Sequence, residues 1–154
     1  MRGVAPFEQL WERRTTVTLA PQTSGDDDVI VNIMALEDLV VAKKTQRDKD
    51  WPMIRRLVDA SYDRERHNAA SVATVEFWLA ELRSPEFLAD IVRRFPEAAR
   101  TSQRPAVLAA LSNGDVARAL ADEQAAEMAM DRDYWLPLRQ ELEALRHTAR
   151  SETE

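Results

Sequence analysis

The sequence predicts an α+β protein: a short N-terminal helix, a two-stranded hairpin and covering helices, followed by an all-helical C-terminal part. Three observations carry this reading. Residues 15–19 (TTVTL) and 29–33 (VIVNI) are short runs rich in β-branched side chains, separated by a stretch of Pro, Ser, Gly and Asp. Residues 36–62 (LEDLVVAKKTQRDKDWPMIRRLVDASY) place apolar side chains at helical spacing on either side of a polar joint. From residue 71 onward no strand-like run occurs, and proline marks successive helix starts.

Each element follows from its residues. In residues 6–14 (PFEQLWERR), Phe7, Leu10 and Trp11 fall at i, i+3 and i+4, which predicts a short helix. The two strands form a hairpin. Two strands alone are marginal in water, so a covering helix is required, and residues 36–44 are the expected cover. Pro52 fits the first turn of a second helix, with Asp48 or Asp50 as its cap and Trp51, Ile54, Leu57, Val58 and Ser61 on its buried face. Val72, Val75, Leu79 and Leu82 predict the next stripe, flanked by Phe77 and Trp78. Ser84-Pro85 restarts the chain into a helix with Phe87, Leu88, Ile91, Val92 and Phe95 inside, and Pro96 ends it. Further helices are expected from Pro105 to Leu111 and over residues 116–130. A break at 131–133 then precedes a last stripe of Trp135, Leu138, Leu142 and Leu145. This divides the chain into an α+β piece (1–66), a helical part (67–148) and a frayed tail (149–154). Few large apolar residues share one stripe beyond residue 100, so packing on a partner or a second copy is expected there.

Composition bounds the function classes. The 154 residues carry a net charge of −6, with an isoelectric point near 5.1. General nucleic-acid or anionic-membrane binding is therefore not expected, although a local basic site is compatible. There is no cysteine, hence no disulfide, thiol nucleophile or cysteine-based zinc site. Residues 1–10 lack the apolar core of a signal peptide, and no run approaches membrane-spanning length. A cytoplasmic protein is the expectation.

The densest basic cluster lies in the joint of residues 36–62. With about 3.6 residues per turn, Lys43 and Arg47 fall almost over Leu36 when a helix is continued through them. Two cations then extend an inward stripe, while Lys44 is rotated toward solvent. Lys43, Arg47 and the helix start at Asp50 can together form an anion site suited to phosphate. The competing reading is a solvated surface on which these cations pair with Asp48, Asp50 and Asp59. Other chemistry is missing from the sequence. His67 and His147 are far apart and without ligand spacing, so they read as surface histidines. Three glycines in the chain do not make a phosphate-cradling loop. Asp26, Asp27 and Asp28 follow Gly25 and read as turn residues rather than as a metal site.

The run Leu36-Glu37-Asp38-Leu39-Val40, followed by Lys43-Lys44-Thr45-Gln46-Arg47-Asp48-Lys49-Asp50, resembles the latter part of bacterial nucleotidyltransferase-like proteins of the DNA polymerase β type. There a strand leads into an S-L-E-D-L helix whose lysine is followed by an R-x-K-D segment. The preceding FEQLWERRTTVTL is similar as well, so the resemblance spans about residues 7–62. It implies that Lys43 and Arg47 are the cations near a nucleotide pocket and that Asp50 is the acidic residue ending the motif.

The same resemblance implies two-metal phosphoryl chemistry in complete members, where carboxylates hold Mg²⁺. The Gly-Ser turn and Asp-x-Asp strand that supply them have no counterpart here, and residues 1–6 leave no room for them. Asn32 is the one polar side chain of the second strand. The expected function is thus a non-catalytic or degenerate nucleotidyltransferase-like module that binds nucleotide phosphate or a protein, without a cofactor of its own, as a homodimer or with a complementing chain. One alternative is half of a split nucleotidyltransferase, using Mg²⁺ and a nucleoside triphosphate when complemented. The other is an antitoxin-like or structural interaction protein that binds no nucleotide.

Overall fold

The computed structural model describes residues 4–20, 28–44 and 50–151, with side chains through residue 147. In chain order the elements are α1 (Phe7–Arg13), β1 (Thr15–Leu19), β2 (Val29–Ile33), α2 (Leu36–Lys43), α3 (Asp50–Glu65), α4 (Val72–Glu81), α5 (Pro85–Arg94), α6 (Pro96–Thr101), α7 (Pro105–Leu111) and α8 (Val116–Ser151). The α+β architecture is as expected, with helices dominating. No helix among the described residues is long and apolar enough to cross a membrane.

The strands pair antiparallel, Thr15 opposite Ile33 and Leu19 opposite Val29. Side chains alternate between faces along a strand. One face of the hairpin therefore carries Val17, Leu19, Val29, Val31 and Ile33, and the other carries Thr16, Thr18, Ile30 and Asn32. Only Val17 and Val31 are half-buried, and every other strand residue is exposed. Among the described residues nothing buries Leu19, Val29, Ile30 or Ile33. Residues 36–43 do form a helix, but α2 turns its buried Val40 into the helical core with Ile54 of α3 rather than onto the hairpin. The reason is competition for one narrow stripe. Val40 finds a deep cluster of large side chains among the helices, which removes more apolar surface from water than a two-stranded ribbon can.

That core starts at α2 and draws on α3, α4, α5, α6, α7 and the first turns of α8. Its centre is aromatic. Tyr62 meets Trp78 edge-on at 5.1 Å and Phe87 at 5.4 Å. Leu88, Ile91, Val58 and Val107 close around them with no exposed surface. Trp78, expected to flank its stripe, is buried, whereas Val72 is exposed. Tyr62 donates its hydroxyl hydrogen to Asp90 Oδ2 at 2.6 Å, joining α3 to α5. Ser84 caps α5 by position, yet its hydroxyl donates to Asp59 on α3 rather than accepting from the helix backbone.

Two helix boundaries differ from expectation. Pro96 ends α5 and at once starts α6, a six-residue helix, because its fixed φ suits a first turn. The break at 131–133 does not occur. Asp131 stays helical and buried, accepting a hydrogen bond from Trp135 Nε1 at 3.2 Å, so α8 runs through Pro137 to Ser151. The helix spans about 54 Å at about 1.5 Å per residue. The break that was read correctly is the one between α7 and α8, where Asn113 takes a left-handed φ of 54°.

Two outcomes separate core from hairpin. Leu88→Ala is expected to cost about 2–5 kcal/mol in urea unfolding, whereas Ile30→Thr leaves the transition within about 0.5 kcal/mol. A third concerns pH. Burial, then the hydrogen bond to Asp90, raises the Tyr62 phenol above its ordinary value, with Arg94 opposing. A raised folded-state value means that the neutral phenol's contribution is complete below about pH 10 and is lost as pH climbs through the folded value. Tyr62→Phe is expected to flatten the alkaline fall of the melting temperature, as circular dichroism would show.

Candidate functional site

The joint singled out in the sequence is only partly within the described residues. Lys43 is half-buried in the last turn of α2, where a cation suits the negative end of the helix. Asp50 is buried in the first turn of α3, the complementary place for an anion. Arg47 lies outside the described residues. Within the described residues α2 ends at Lys43, and Lys44, with ψ 84°, leaves the helical conformation. Lys44, expected to point into solvent, instead reaches inward and marks the edge of a different site.

That site is a cleft of about 830 Å³ between α4, the start of α7 and α8. Its floor is apolar, with Leu79, Ala98, Ala119 and Met130, and its edge carries an ion-pair network. Lys44 Nζ lies 2.7 Å from Glu81 Oε2 and 3.8 Å from Glu127 Oε2. Arg83 Nη2 donates to both oxygens of Glu127, at 2.8 and 3.0 Å, and Arg83 Nη1 is 3.7 Å from Glu123. Arg104 Nε donates to Glu123 Oε2 at 2.8 Å. Three cations thus face three carboxylates.

The network does structural work at helix ends. The last carbonyls of a helix have no partner within it. Arg104 supplies two, donating from Nη1 to Leu79 O at 2.8 Å and from Nη2 to Leu82 O at 2.7 Å, and so caps α4. The first amides of a helix are equally orphaned, and Glu123 Oε1 accepts from Ala106 N at 2.6 Å at the start of α7. One Arg–Glu pair therefore joins the end of α4 and the start of α7 to α8. Burial pushes the Arg104 guanidinium below its ordinary value, reinforced by neighbouring Arg83 and opposed chiefly by Glu123. Arg83 holds its guanidinium 5.6 Å from the centre of the Trp51 ring, and its Nε and Nη1 find no hydrogen-bond acceptor.

The arrangement joins cations to carboxylates at the helix ends. Its carboxylates and cations are engaged with one another. Glu76 and Asp122 add negative charge at the mouth, so five carboxylates stand against two cations along the cleft lining, which disfavours phosphate there. Among the described residues no three His, Cys, Asp or Glu side chains are grouped to hold a metal ion. Asn32 accepts from Arg14 Nε at 3.0 Å and from Thr16 Oγ1 at 3.2 Å on the polar face of the hairpin. Sequence reasoning passed over Arg83, Arg104, Glu81, Glu123 and Glu127. One signal was available: Glu123 and Glu127 share the stripe of Val116 and Leu120 on α8, so two anions sit where apolar residues belong.

Arg104→Ala is expected to cost about 3–5 kcal/mol in chemical unfolding, because it strands the half-buried Glu123 carboxylate and uncaps α4. Arg93→Ala, an exposed arginine on α5, leaves the midpoint unchanged. Comparison with known proteins found no match: no family model, no curated protein and no solved structure matches this chain.

Proposed function

We propose that this protein is a non-catalytic, nucleotidyltransferase-like interaction module of the cytoplasm, whose α1–β1–β2 piece docks on a complementing protein chain. The observation that carries this reading is the hairpin. Its apolar face of Val17, Leu19, Val29, Val31 and Ile33 has no covering layer among the described residues, and Leu19, Val29 and Ile33 are about half exposed. Among the described residues each strand pairs only with the other, which leaves one edge of each without a neighbouring strand there. Open strand edges beside an apolar face suit a partner that adds strands, since main-chain hydrogen bonds give affinity and alternate side chains give specificity. Phe7 and Trp11 of α1, stacked at 5.8 Å and exposed, extend the same piece. Engagement of the cleft's charged groups with one another supports a binding role over a catalytic one.

The open edges also favour a second reading, in which the added chain brings metal-holding carboxylates. The pair is then a split nucleotidyltransferase using Mg²⁺ and a nucleoside triphosphate, with Lys43, Arg47 and Asp50 contributed by this chain.

Photo-crosslinking from positions 19 and 33 in the native cells, followed by reconstitution with the captured protein, tests the proposal. The expected result is a stoichiometric complex that slows amide exchange across 15–19 and 29–33 and is weakened at least tenfold by Ile33→Asp. Equal crosslinking from Arg56, on the exposed side of α3, or no hairpin protection in the complex, overturns it. Calorimetry of the reconstituted pair with Mg²⁺-ATP separates the two readings: heat that Lys43→Ala abolishes supports the split enzyme.

A further inference from the structure

We propose that the distal part of α8 pairs with the same segment of a second copy of this chain as a parallel two-stranded coiled coil. The proposal is independent of the hairpin. It begins from a stripe that outlasts the body it packs on. Val116, Leu120, Glu123, Glu127 and Asp131 face the other helices, where Leu120 and Asp131 are buried and Glu123 is half-buried. The same face continues as Trp135, Leu138, Leu142 and Leu145. There the body has ended. Every residue from Arg132 to His147 is exposed except half-buried Trp135, with Leu142 44% and Leu145 60% accessible.

A lone helical arm of this length is marginal in water unless an apolar face is buried. The spacing says what buries it. Asp131, Trp135, Leu138, Leu142 and Leu145 are separated by four, three, four and three residues, the a/d repeat of a left-handed coiled coil.

The flanking charges choose the occupant and its direction. One flank of the seam carries Arg132, Arg139 and Arg146, at the positions called e. The other, called g, carries Tyr134 and Glu141. Antiparallel pairing sets e against e and would line arginine against arginine. Parallel pairing sets g of one helix against e of the other, which brings Glu141 to Arg146 of the second copy and Tyr134 to Arg139, each twice by symmetry. Pro137 lies off the seam, where its missing N–H and bulky ring do not meet the partner helix. The seam covers little more than two heptads, so the dimer is reversible and concentration-dependent.

Sedimentation of the full chain up to about 1 mM tests assembly on the affinity scale expected of a short seam. A monomer–dimer equilibrium is expected, shifted at least tenfold toward monomer by Leu138→Glu with Leu142→Glu. These leucines are exposed, so the melting of the body stays in place. The absence of native cysteine makes direction readable: Leu145→Cys is expected to give a covalent dimer on mild oxidation. Glu141→Arg is expected to weaken the dimer, and adding Arg146→Glu to restore it. A monomer at all concentrations, a dimer indifferent to the leucine changes, or a dimer that Leu145→Cys does not crosslink overturns the proposal.

Discussion

The ion pair between Arg104 and Glu123 is the constraint on which the helical body turns. Short helices leave a large share of their backbone groups unpaired at their ends, and this chain uses several of ten residues or fewer. Burying such ends without partners is costly. Arg104 closes the end of α4, Glu123 closes the start of α7, and their mutual contact ties both to α8. The surrounding cations and carboxylates match in number, which is what allows so many charges to sit at low exposure. Replacing the network with apolar side chains would leave the caps unmade, so its value lies in geometry as much as in Coulomb attraction.

The consequence is a molecule of unequal parts. From α2 to the first turns of α8 the chain is locked by an aromatic centre and by these caps. At one end of the sequence a hairpin keeps its apolar face open, and toward the other a helical arm carries leucines into solvent. In both features a row of exposed apolar residues is in register, at alternate positions on the strands and at heptad positions on the helix. Scattered exposed leucines are ordinary, and a periodic row is what sets these two segments apart from the rest of the surface.

Much of the fold was legible because its signals are local. Strand bounds at 15–19 and 29–33 followed from β-branched runs, and the helix starts at Pro85 and Pro105 from a residue whose φ is fixed. Misreadings came where a local signal met a tertiary competitor. The helix over residues 36–44 is the expected cover of the hairpin, yet its buried Val40 packs among the helices. Asp131 looked like a break and became a buried helical residue bonded to Trp135. Trp78 was placed at the flank of its stripe and fills the core. The candidate site was less legible. Lys43 and Asp50 do sit at helix ends, Arg47 lies outside the described residues, and Lys44 is the lysine drawn inward by Glu81 and Glu127. Glu81, Arg83, Arg104 and Glu123 come from α4, the α4–α5 link, the residue before α7, and α8; no spacing rule connects positions so far apart.

The sequence by itself determined the element types, the apolar periodicities and the exclusion of thiol chemistry, since each depends on neighbouring residues or on composition. Only the tertiary structure decided which apolar stripe found a partner within the chain and which did not. It alone decided which charges met in the cleft. Those outcomes are settled by competition among surfaces for a limited interior, and the winner is set by shape and distance across the whole fold rather than by any stretch read alone.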